Sequence, residues 1–261
     1  MAIRCAWMAY VGGHTQASIA NHYGLSRAKI NRLINQAHES GYVHVFIDHS
    51  PQRLIEMSDR IAQVYGLSHC EVVPVVDGGS APFGCFPALG SAAAYYLHNR
   101  LNQGDIRTLG VSWGRSLAEM SRQLPRVDRS WLTVVSVMGS LTRKSAVNPF
   151  DVVHRITDVT QAQGFFTPVP FMADSLADKK VLVHQRSVRE AFDCALKTQL
   201  CFVGIGAVHV EQPMFAAENG MLDDEQRARL VDVGAVCDLV GRFLDADGRE
   251  LDIELNKRVI G

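Results

Sequence analysis

Polar and basic side chains cluster between residues 15 and 32, at positions that two short helices would turn outward. Arginine suits guanine and phosphate and asparagine suits adenine, while hydroxyl and amide groups at the start of a helix can hold a phosphate. These residue types at helical spacing indicate contact with double-stranded DNA. The predicted DNA-binding residues are Thr15, Gln16, Ser26, Arg27, Lys29, Asn31 and Arg32.

The apolar residues of the same stretch predict the two helices that would carry this polar face. Ile19 and Tyr23 fall on the inner side of the first helix, and Ile30 and Ile34 fall on the inner side of the second. Gly24 suits the left-handed backbone that ends a helix. The pattern is typical of a helix-turn-helix, whose second helix enters the major groove. Residues 2–11 predict one further amphipathic helix, with Ile3, Ala6, Trp7 and Tyr10 on one side.

Glycine-containing polar segments follow predicted strands at 113–116, 139–143, 203–206 and 234–241. Ligands of parallel sheets bind outside the carboxyl ends of the strands, where backbone N–H groups and hydroxyls can converge on an anion. We therefore expect a pocket for a phosphate or a polyol. Asp238 is a candidate for recognising a hydroxyl group, and the alternative is a helix cap or a surface carboxylate.

The elements that would position these segments alternate along the chain from about residue 69. Near-continuous apolar runs predict strands at 69–76, 108–113, 132–139, 165–168 and 200–208. Helices are predicted between them at 88–101, 114–124, 148–164, 188–198 and 223–231. Apolar strands separated by helices indicate an α/β fold with a mostly parallel, Rossmann-like sheet.

A boundary is predicted at Ser50-Pro51, where an N-cap residue precedes a proline at the first helical position. The predicted domains are a helix-turn-helix domain at 1–49 and a ligand-binding and oligomerisation domain at 50–261. The helix that begins the second domain is a candidate for joining the two or for packing against a second subunit. Its apolar stripe consists of Leu54, Met57, Ile61 and Val64.

Charge is distributed unevenly between these two predicted domains. Residues 1–49 hold four basic and two acidic residues, a net charge of +2, whereas the remainder holds 22 basic and 25 acidic residues, a net charge of −3. A mildly basic head on an acidic body indicates that nucleic-acid contact is confined to the head. Because the excess is small, we expect an oligomer that pairs two heads on one DNA site.

The cysteines and the first residues of the chain indicate what to expect of metal sites, cellular compartment and membrane association. The six cysteines form no C-x-x-C pair and have no histidine at metal-ligand spacing, so no metal site and no cofactor are predicted. They are typical of a reducing compartment. The apolar start is too short for a transmembrane span and lacks the features of a signal peptide, so a cytoplasmic protein without a membrane partner is expected.

Few residues suggest catalysis. His154 and Asp158 stand at i and i+4 of a predicted helix, which favours a surface pair over a catalytic dyad. No lysine stands at the predicted strand ends, so no catalytic residue and no enzyme activity are predicted. Residues 245–251 resemble half of a calcium loop but lack its closing glutamate, and they are better interpreted as a hairpin turn at Asp247-Gly248.

With these motifs identified, the chain resembles the SorC family of bacterial transcription regulators, and within it the repressors of erythritol and related polyol operons. The resemblance covers essentially the whole chain and rests on RCAWMAYVGGHTQASIANHYGLSRAKINRLI, CEVVPV, GVSWGRS, VVSVMGSLTRKSAVNPFDVVHR, PVPFMADSLADKKVLVHQRSVREAFD, VGIGAV and GAVCDLVGRFLDADGREL. It implies a body of the phosphosugar isomerase and CoA-transferase type. It also implies homotetramers built from dimers, and a phosphorylated sugar or polyol effector that alters operator binding.

The resemblance also implies which residues hold the effector. They are Gly114, Arg115, Ser116, Gly139, Ser140, Leu141, Asn148, Gly204, Gly206 and Asp238. Three departures stand out: Ser116 occupies a position where the family commonly has threonine, Cys237 replaces a glycine, and the chain stops at Gly261. The family normally continues through another strand, a glycine-rich turn with a lysine, and closing helices, so a C-terminal truncation is expected.

Three functions remain open at this point. The first is a DNA-binding repressor of a sugar or polyol operon that responds to a phosphorylated effector. The second is a sugar-phosphate isomerase or lyase with an accessory head. The third is a DNA-binding oligomer that has lost its effector.

Overall fold

A computed structural model describes five stretches of the chain: residues 1–43, 52–74, 85–140, 151–209 and 222–261. The chain divides into two compact units. One consists of Met1–His98 and Arg122–Arg126, and the other consists of Asn99–Ser121 and Val127–Gly261. The boundary predicted at residue 50 lies outside the described residues and stays a prediction.

Three helices open the first unit: α1 Ala2–Tyr10, α2 Gln16–Tyr23 and α3 Arg27–Glu39. The Thr15 side chain caps α2 by accepting a hydrogen bond from the backbone N–H of Ser18, and the Ser26 side chain caps α3 through the N–H of Lys29. Gly24 ends α2 at φ +62°, a left-handed conformation that glycine adopts without steric cost. Local sequence therefore fixes both ends of the α2–α3 turn.

The three helices share a small apolar core. Cys5 from α1, Ile19 and Ala20 from α2, and Ile30 and Ile34 from α3 are buried together. Each fully buried isoleucine stabilises the folded state by about 1.5–3 kcal/mol relative to an exposed one. This core leaves the opposite face of α3 open to solvent.

The helix α4 Gln52–Tyr65 follows, and none of its side chains is fully buried. The hydroxyl of Ser58 donates to the carbonyl of Leu54 and accepts from the N–H of Val72. The strand predicted at 69–76 is wrong over residues 69–74, which form no strand. The reason is that a side-chain hydroxyl, and not a neighbouring strand, satisfies the Val72 N–H.

The second unit is built on a four-stranded parallel sheet of order β3-β2-β1-β4. Its strands are β1 Thr108–Val111, β2 Thr133–Ser140, β3 Gln163–Pro170 and β4 Leu200–Phe202. The helices of this part of the chain are α5 Phe86–Gln103, α6 Arg115–Gln123, α7 Val152–Thr160, α8 Leu176–Val183 and α9 Arg186–Ala195. The predicted α/β class with a mostly parallel sheet is confirmed.

A second, antiparallel sheet contains β5 Ile205–Ala207, β6 Cys237–Leu239 and β7 Arg242–Leu244. The helices α10 Asp224–Asp232 and α11 Glu254–Arg258 accompany it. The single strand predicted at 200–208 is therefore wrong, because β4 and β5 belong to different sheets. Continuous apolar sequence shows that a segment is extended, but it does not show where the segment changes its partner.

The buried Asn256 holds the second sheet together. Its Oδ1 accepts from the Phe243 N–H at 2.8 Å, and its Nδ2 donates to the carbonyls of Phe243 at 2.9 Å and Leu251 at 2.8 Å. One side chain thus takes the place of a neighbouring strand beside β7. Nearby, Ile260 accepts from the N–H of Gly139 and donates to the carbonyl of Phe171.

We predict that Asn256→Leu lowers the free energy of unfolding by about 1–3 kcal/mol, because the buried N–H of Phe243 loses its partner, while the carbonyls of Phe243 and Leu251 keep the N–H groups of Leu251 and Ile253. Urea unfolding followed by circular dichroism measures the loss. The adjacent exposed Lys257→Ala is the control and should shift stability by less than about 1 kcal/mol. An unchanged midpoint for Asn256→Leu would contradict the assigned role.

Candidate functional site

The outer face of α3 carries cations without internal partners. Arg27, Lys29, Asn31 and Arg32 are all exposed, and among the described residues their side chains make no hydrogen bond or ion pair. The segment 27–32 contains three cations and no carboxylate, so nothing on it repels a phosphate backbone.

The remaining predicted DNA-binding residues lie at helix starts. Thr15 and Ser26 are exposed, but their hydroxyls already accept hydrogen bonds from the N–H groups of Ser18 and Lys29. Gln16 is half-buried in the first turn of α2. Thr15 and Ser26 therefore shape the helix starts in addition to any contact with a phosphate.

In the second unit, Trp113 joins the loop after β1 to the end of β2. Its indole N–H donates to the carbonyl of Gly139 at 3.0 Å, and its ring packs edge-on against Phe171 with ring centroids 5.5 Å apart. A Cβ at Gly139 would lie 2.5 Å from the carbonyl oxygen of Pro170, so only glycine fits there. Because β1 and β2 are adjacent parallel strands, the loop after β1 and residues 139–140 lie at the same edge of the sheet, and Trp113 ties them together.

The three residues after Trp113 begin α6. Gly114 has φ +150°, which residues with a side chain rarely adopt, and its carbonyl accepts from the N–H of Ala118. Because α6 follows β1 directly, its first turn, with Arg115 and Ser116, lies at the carboxyl edge of the sheet. Helix N–H groups and the positive end of the helix dipole at this edge favour an anion.

An open cleft lies beside this edge and encloses about 320 Å³ of space, including the solvent at its mouth. Hydroxyls on β2, on β3 and just after β1 line it, with a carboxylate at the start of α7 and apolar walls. The lining residues are Ser112, Trp113, Ser136, Met138, Ser140, Asp151, Val152, Val153, Phe166 and Thr167. A mixed lining of this kind suits a small polyhydroxylated molecule.

Several of these polar groups are held by neighbours. Ser136 donates to the carbonyl of Met138 at 2.7 Å, Thr167 donates to the carbonyl of Ser136 at 3.2 Å, and Asp151 caps α7. Sequence reasoning found Ser140 but missed Ser136, Thr167 and Asp151. One usable signal was present: Ser136 and Ser140 are four residues apart in an apolar strand and therefore share one face.

Gly206 and Asp238 stand opposite each other in the antiparallel pair of β5 and β6. A Cβ at Gly206 would collide with the carboxylate of Asp238, so the glycine makes room for the acid. Asp238 is 8% exposed, its Oδ2 accepts from the N–H of Gly241 at 3.4 Å, and burial raises its pKa to about 6. It is neither a helix cap nor a surface carboxylate, so that alternative is wrong.

The other predicted effector residues are placed less tightly. Gly204 connects β4 to β5, and a Cβ there would meet nothing within 4 Å. Leu141 and Asn148 lie outside the described residues. Cys237 is half-buried beside Asp238, and burial together with the neighbouring carboxylate raises the pKa of its thiol.

The two remaining motifs lie on α7 and in a turn after β7. Within the described part of the chain, His154 and Asp158 form no hydrogen bond or ion pair with each other. Residues 245–249 form the predicted turn, in which Asp245 Oδ1 accepts from the N–H groups of Asp247 and Arg249 and Gly248 has φ +76°. In the same described ranges, no helix is long and apolar enough to cross a membrane, and no three metal-ligating side chains meet.

Comparison with known proteins places the chain. Residues 49–261 match the family described as "Putative sugar-binding domain". The erythritol catabolism regulatory protein EryD of Brucella abortus is 36% identical over 260 residues, covering 100% of this chain and 81% of the relative. The chain belongs to the SorC family of transcriptional regulators.

A further relative and two solved structures extend the comparison. The deoxyribonucleoside regulator of Bacillus subtilis is 26% identical, and the match spans 100% of this chain and 82% of that relative. The full-length sorbitol operon regulator SorC of Klebsiella pneumoniae has a TM-score of 0.72 at 21% identity, covering 100% of this chain and 82% of that structure. A DeoR family regulator from Listeria monocytogenes has a TM-score of 0.69 at 20% identity and covers 80% of each chain. The structural matches establish a shared fold.

We predict that the burial of Asp238 makes the free energy of unfolding depend on pH. Its pKa in the folded protein, about 6, lies above the ordinary value of 3.8, so the free energy of unfolding falls as pH rises from about 4 to about 6 and then levels off. Asp238→Asn removes this pH dependence, so relative to the parent chain the variant should gain roughly 2–3 kcal/mol more at pH 8 than at pH 4.

Denaturant unfolding of both proteins at the two pH values measures this difference. Asp193→Asn, at an exposed position of α9, is the control and should differ from the parent chain equally at both values. A pH-independent difference for Asp238→Asn would show that the carboxyl ionises normally.

Proposed function

We propose that this chain is a DNA-binding transcriptional regulator, acting as a repressor of a sugar or polyol catabolic operon, and that a phosphorylated sugar or polyol controls it. The observation that carries the DNA-binding half is the unpaired cationic face of α3. With the left-handed turn at Gly24 and the capped start of α3, the first three helices fit a helix-turn-helix head. In this assignment α3 enters the major groove.

Within that groove the exposed side chains would contact different parts of the DNA. Arg27 and Asn31 lie one helical turn apart and would contact base edges, while Lys29 and Arg32 would contact phosphates. The N–H groups at the start of α2, next to Thr15 and Gln16, would hold a further phosphate.

The proposed effector is of the same chemical class as the compounds for which the relatives are named. EryD is named for erythritol catabolism and the Bacillus protein for deoxyribonucleosides, so a small phosphorylated polyol or sugar suits this chain. The first turn of α6, with Gly114, Arg115 and Ser116, would hold the phosphate. Gly139 and Ser140 at the end of β2 would complete the pocket, together with Gly204, Gly206, Asp238 and the predicted residues Leu141 and Asn148.

Regulation requires that the effector prefer one arrangement of an oligomer over another. We propose a homodimer or a homotetramer of dimers, with α4 as one pairing element. Ile55, Met57, Val64 and Tyr65 on α4 are exposed apolar side chains. The same proposal has the protein act in the cytoplasm, without a membrane partner, cofactor or catalytic turnover.

We predict that Arg27→Ala and Asn31→Ala each weaken specific DNA binding by about 1–3 kcal/mol, because each variant loses a base contact. Fluorescence anisotropy measures the affinity for a duplex that the parent chain selects from random-sequence DNA. Gln36→Ala, at an exposed position farther along α3, is the control and should bind like the parent. Undiminished binding by both variants would place the reading face elsewhere.

We predict that erythritol phosphates or related sugar phosphates raise the melting temperature, since a ligand of the native state stabilises by mass action. Ser116→Ala should reduce the shift, because it removes a hydroxyl beside the proposed phosphate. Ser187→Ala, at an exposed position of α9, is the control and should keep the shift. If the parent chain binds DNA but none of these compounds changes its melting temperature or DNA affinity, the effector half of the proposal is wrong.

A further inference from the structure

The first helix of the head turns apolar side chains outward. Its buried side consists of Cys5 and Ala6, which pack against α2 and α3. The sequence predicted an amphipathic helix with Ile3, Ala6, Trp7 and Tyr10 on one side, and of these only Ala6 is buried. The observed exposed surface, here named the outer stripe, consists of Ile3 (52% exposed), Trp7 (58%), Tyr10 (54%) and Val11 (70%).

The outer stripe is not part of the core of the three helices. That core contains Cys5, Ile19, Ala20, Ile30 and Ile34, with Met8, Ala9, Tyr23, Leu25 and Leu33 packed around it. The stripe is nevertheless continuous along α1, at spacings of three and four residues. A contiguous exposed apolar patch on a soluble domain marks an interaction surface more often than chance.

The stripe is tied to the proposed recognition helix. The hydroxyl of Tyr10 forms a 2.7 Å hydrogen bond with Nε2 of His38 near the end of α3, and the two rings pack at 85° with centroids 5.3 Å apart. Any partner seated on the stripe would therefore fix the orientation of α3 as well as that of α1.

We propose that the partner is the same stripe of a second copy, so that two heads pair α1 against α1 on DNA. This inference rests on the proposed function. A two-fold contact places identical residues opposite each other, and a self-pairing surface must therefore be free of like charges. The outer stripe itself carries no charged residue, and the exposed Arg4, the only charged residue of α1, lies at its border beside Trp7 and Val11, where its long side chain can extend into solvent.

The exposed area of the outer stripe indicates whether the stripe could hold a dimer together by itself. Its exposed fractions correspond to roughly 400–500 Å² per copy, since a whole aromatic side chain offers about 150–250 Å². A stable complex buries about 800 Å² per partner. The stripe alone is therefore too small for a stable dimer, and it pairs heads that DNA or an oligomeric body already holds close together.

The direct test places the photo-cross-linker p-benzoylphenylalanine at position 7 of the full chain and irradiates it with and without the selected duplex. The expected product is a covalent dimer, enriched by DNA, in which position 7 is joined to residues 2–11 of the second copy. The same cross-linker at the exposed Tyr42 is the control and should not join that segment. A cross-link from position 7 to another part of the chain, or none at all, would overturn the proposal.

A second test separates pairing from DNA contact. Trp7→Glu should lose at least tenfold in affinity for a duplex with two half-sites and keep parental affinity for one half-site, whereas Trp7→Phe should bind both like the parent. Ile3→Ser gives an independent variant if Trp7→Glu folds poorly. Equal binding of the two-half-site duplex by Trp7→Glu and the parent would refute the pairing role, while failure of the parent to bind any duplex would refute the proposed function instead.

Discussion

The hydrogen bond from the indole of Trp113 to the carbonyl of Gly139 organises the carboxyl edge of the parallel sheet. It couples the loop that begins α6 to the end of β2, while the N–H of the same glycine donates to Ile260. Gly139 is thus bonded on both sides and closely approached by Pro170. This junction adds a side-chain tie between the first turn of α6 and the hydroxyl-lined cleft to the one that the paired strands β1 and β2 already provide.

Much of the architecture follows from local sequence rules. The start and end of α2 and the cap of α3 appear where spacing and cap residues place them, because these features depend on near neighbours. The strands β1 and β2 also lie close to their predicted positions, whereas β3 is longer than the predicted 165–168 and includes two residues of the helix predicted at 148–164. The strand predicted at 69–76 and the single strand at 200–208 are wrong because strands depend on distant partners. The Ser58 hydroxyl in one case and the pairing with β6 in the other cannot be inferred from neighbouring residues.

Sequence patterns likewise predicted only part of the two candidate sites. Exposure of Arg27, Asn31 and Arg32 follows directly from helical spacing. The predicted residues 114 and 116 follow β1, and residues 139 and 140 end β2 at the same edge of the sheet. Periodicity alone did not reveal that Ser136 and Thr167 line a cleft, because hydroxyl residues in apolar strands often serve only the backbone. It also did not show which apolar side of α1 is buried, since a helix with apolar residues on several sides has more than one face that could be inward.

The close approach of Gly206 and Asp238 limits how these two positions can differ among related chains. Because a Cβ at position 206 and the carboxylate at position 238 would occupy the same space, neither position is free to change without regard to the other. A larger residue at 206 requires a shorter one at 238, and loss of the acid removes the steric demand for glycine. The two positions should therefore evolve as a coupled pair, and swapping either one alone between relatives should do more harm than swapping both.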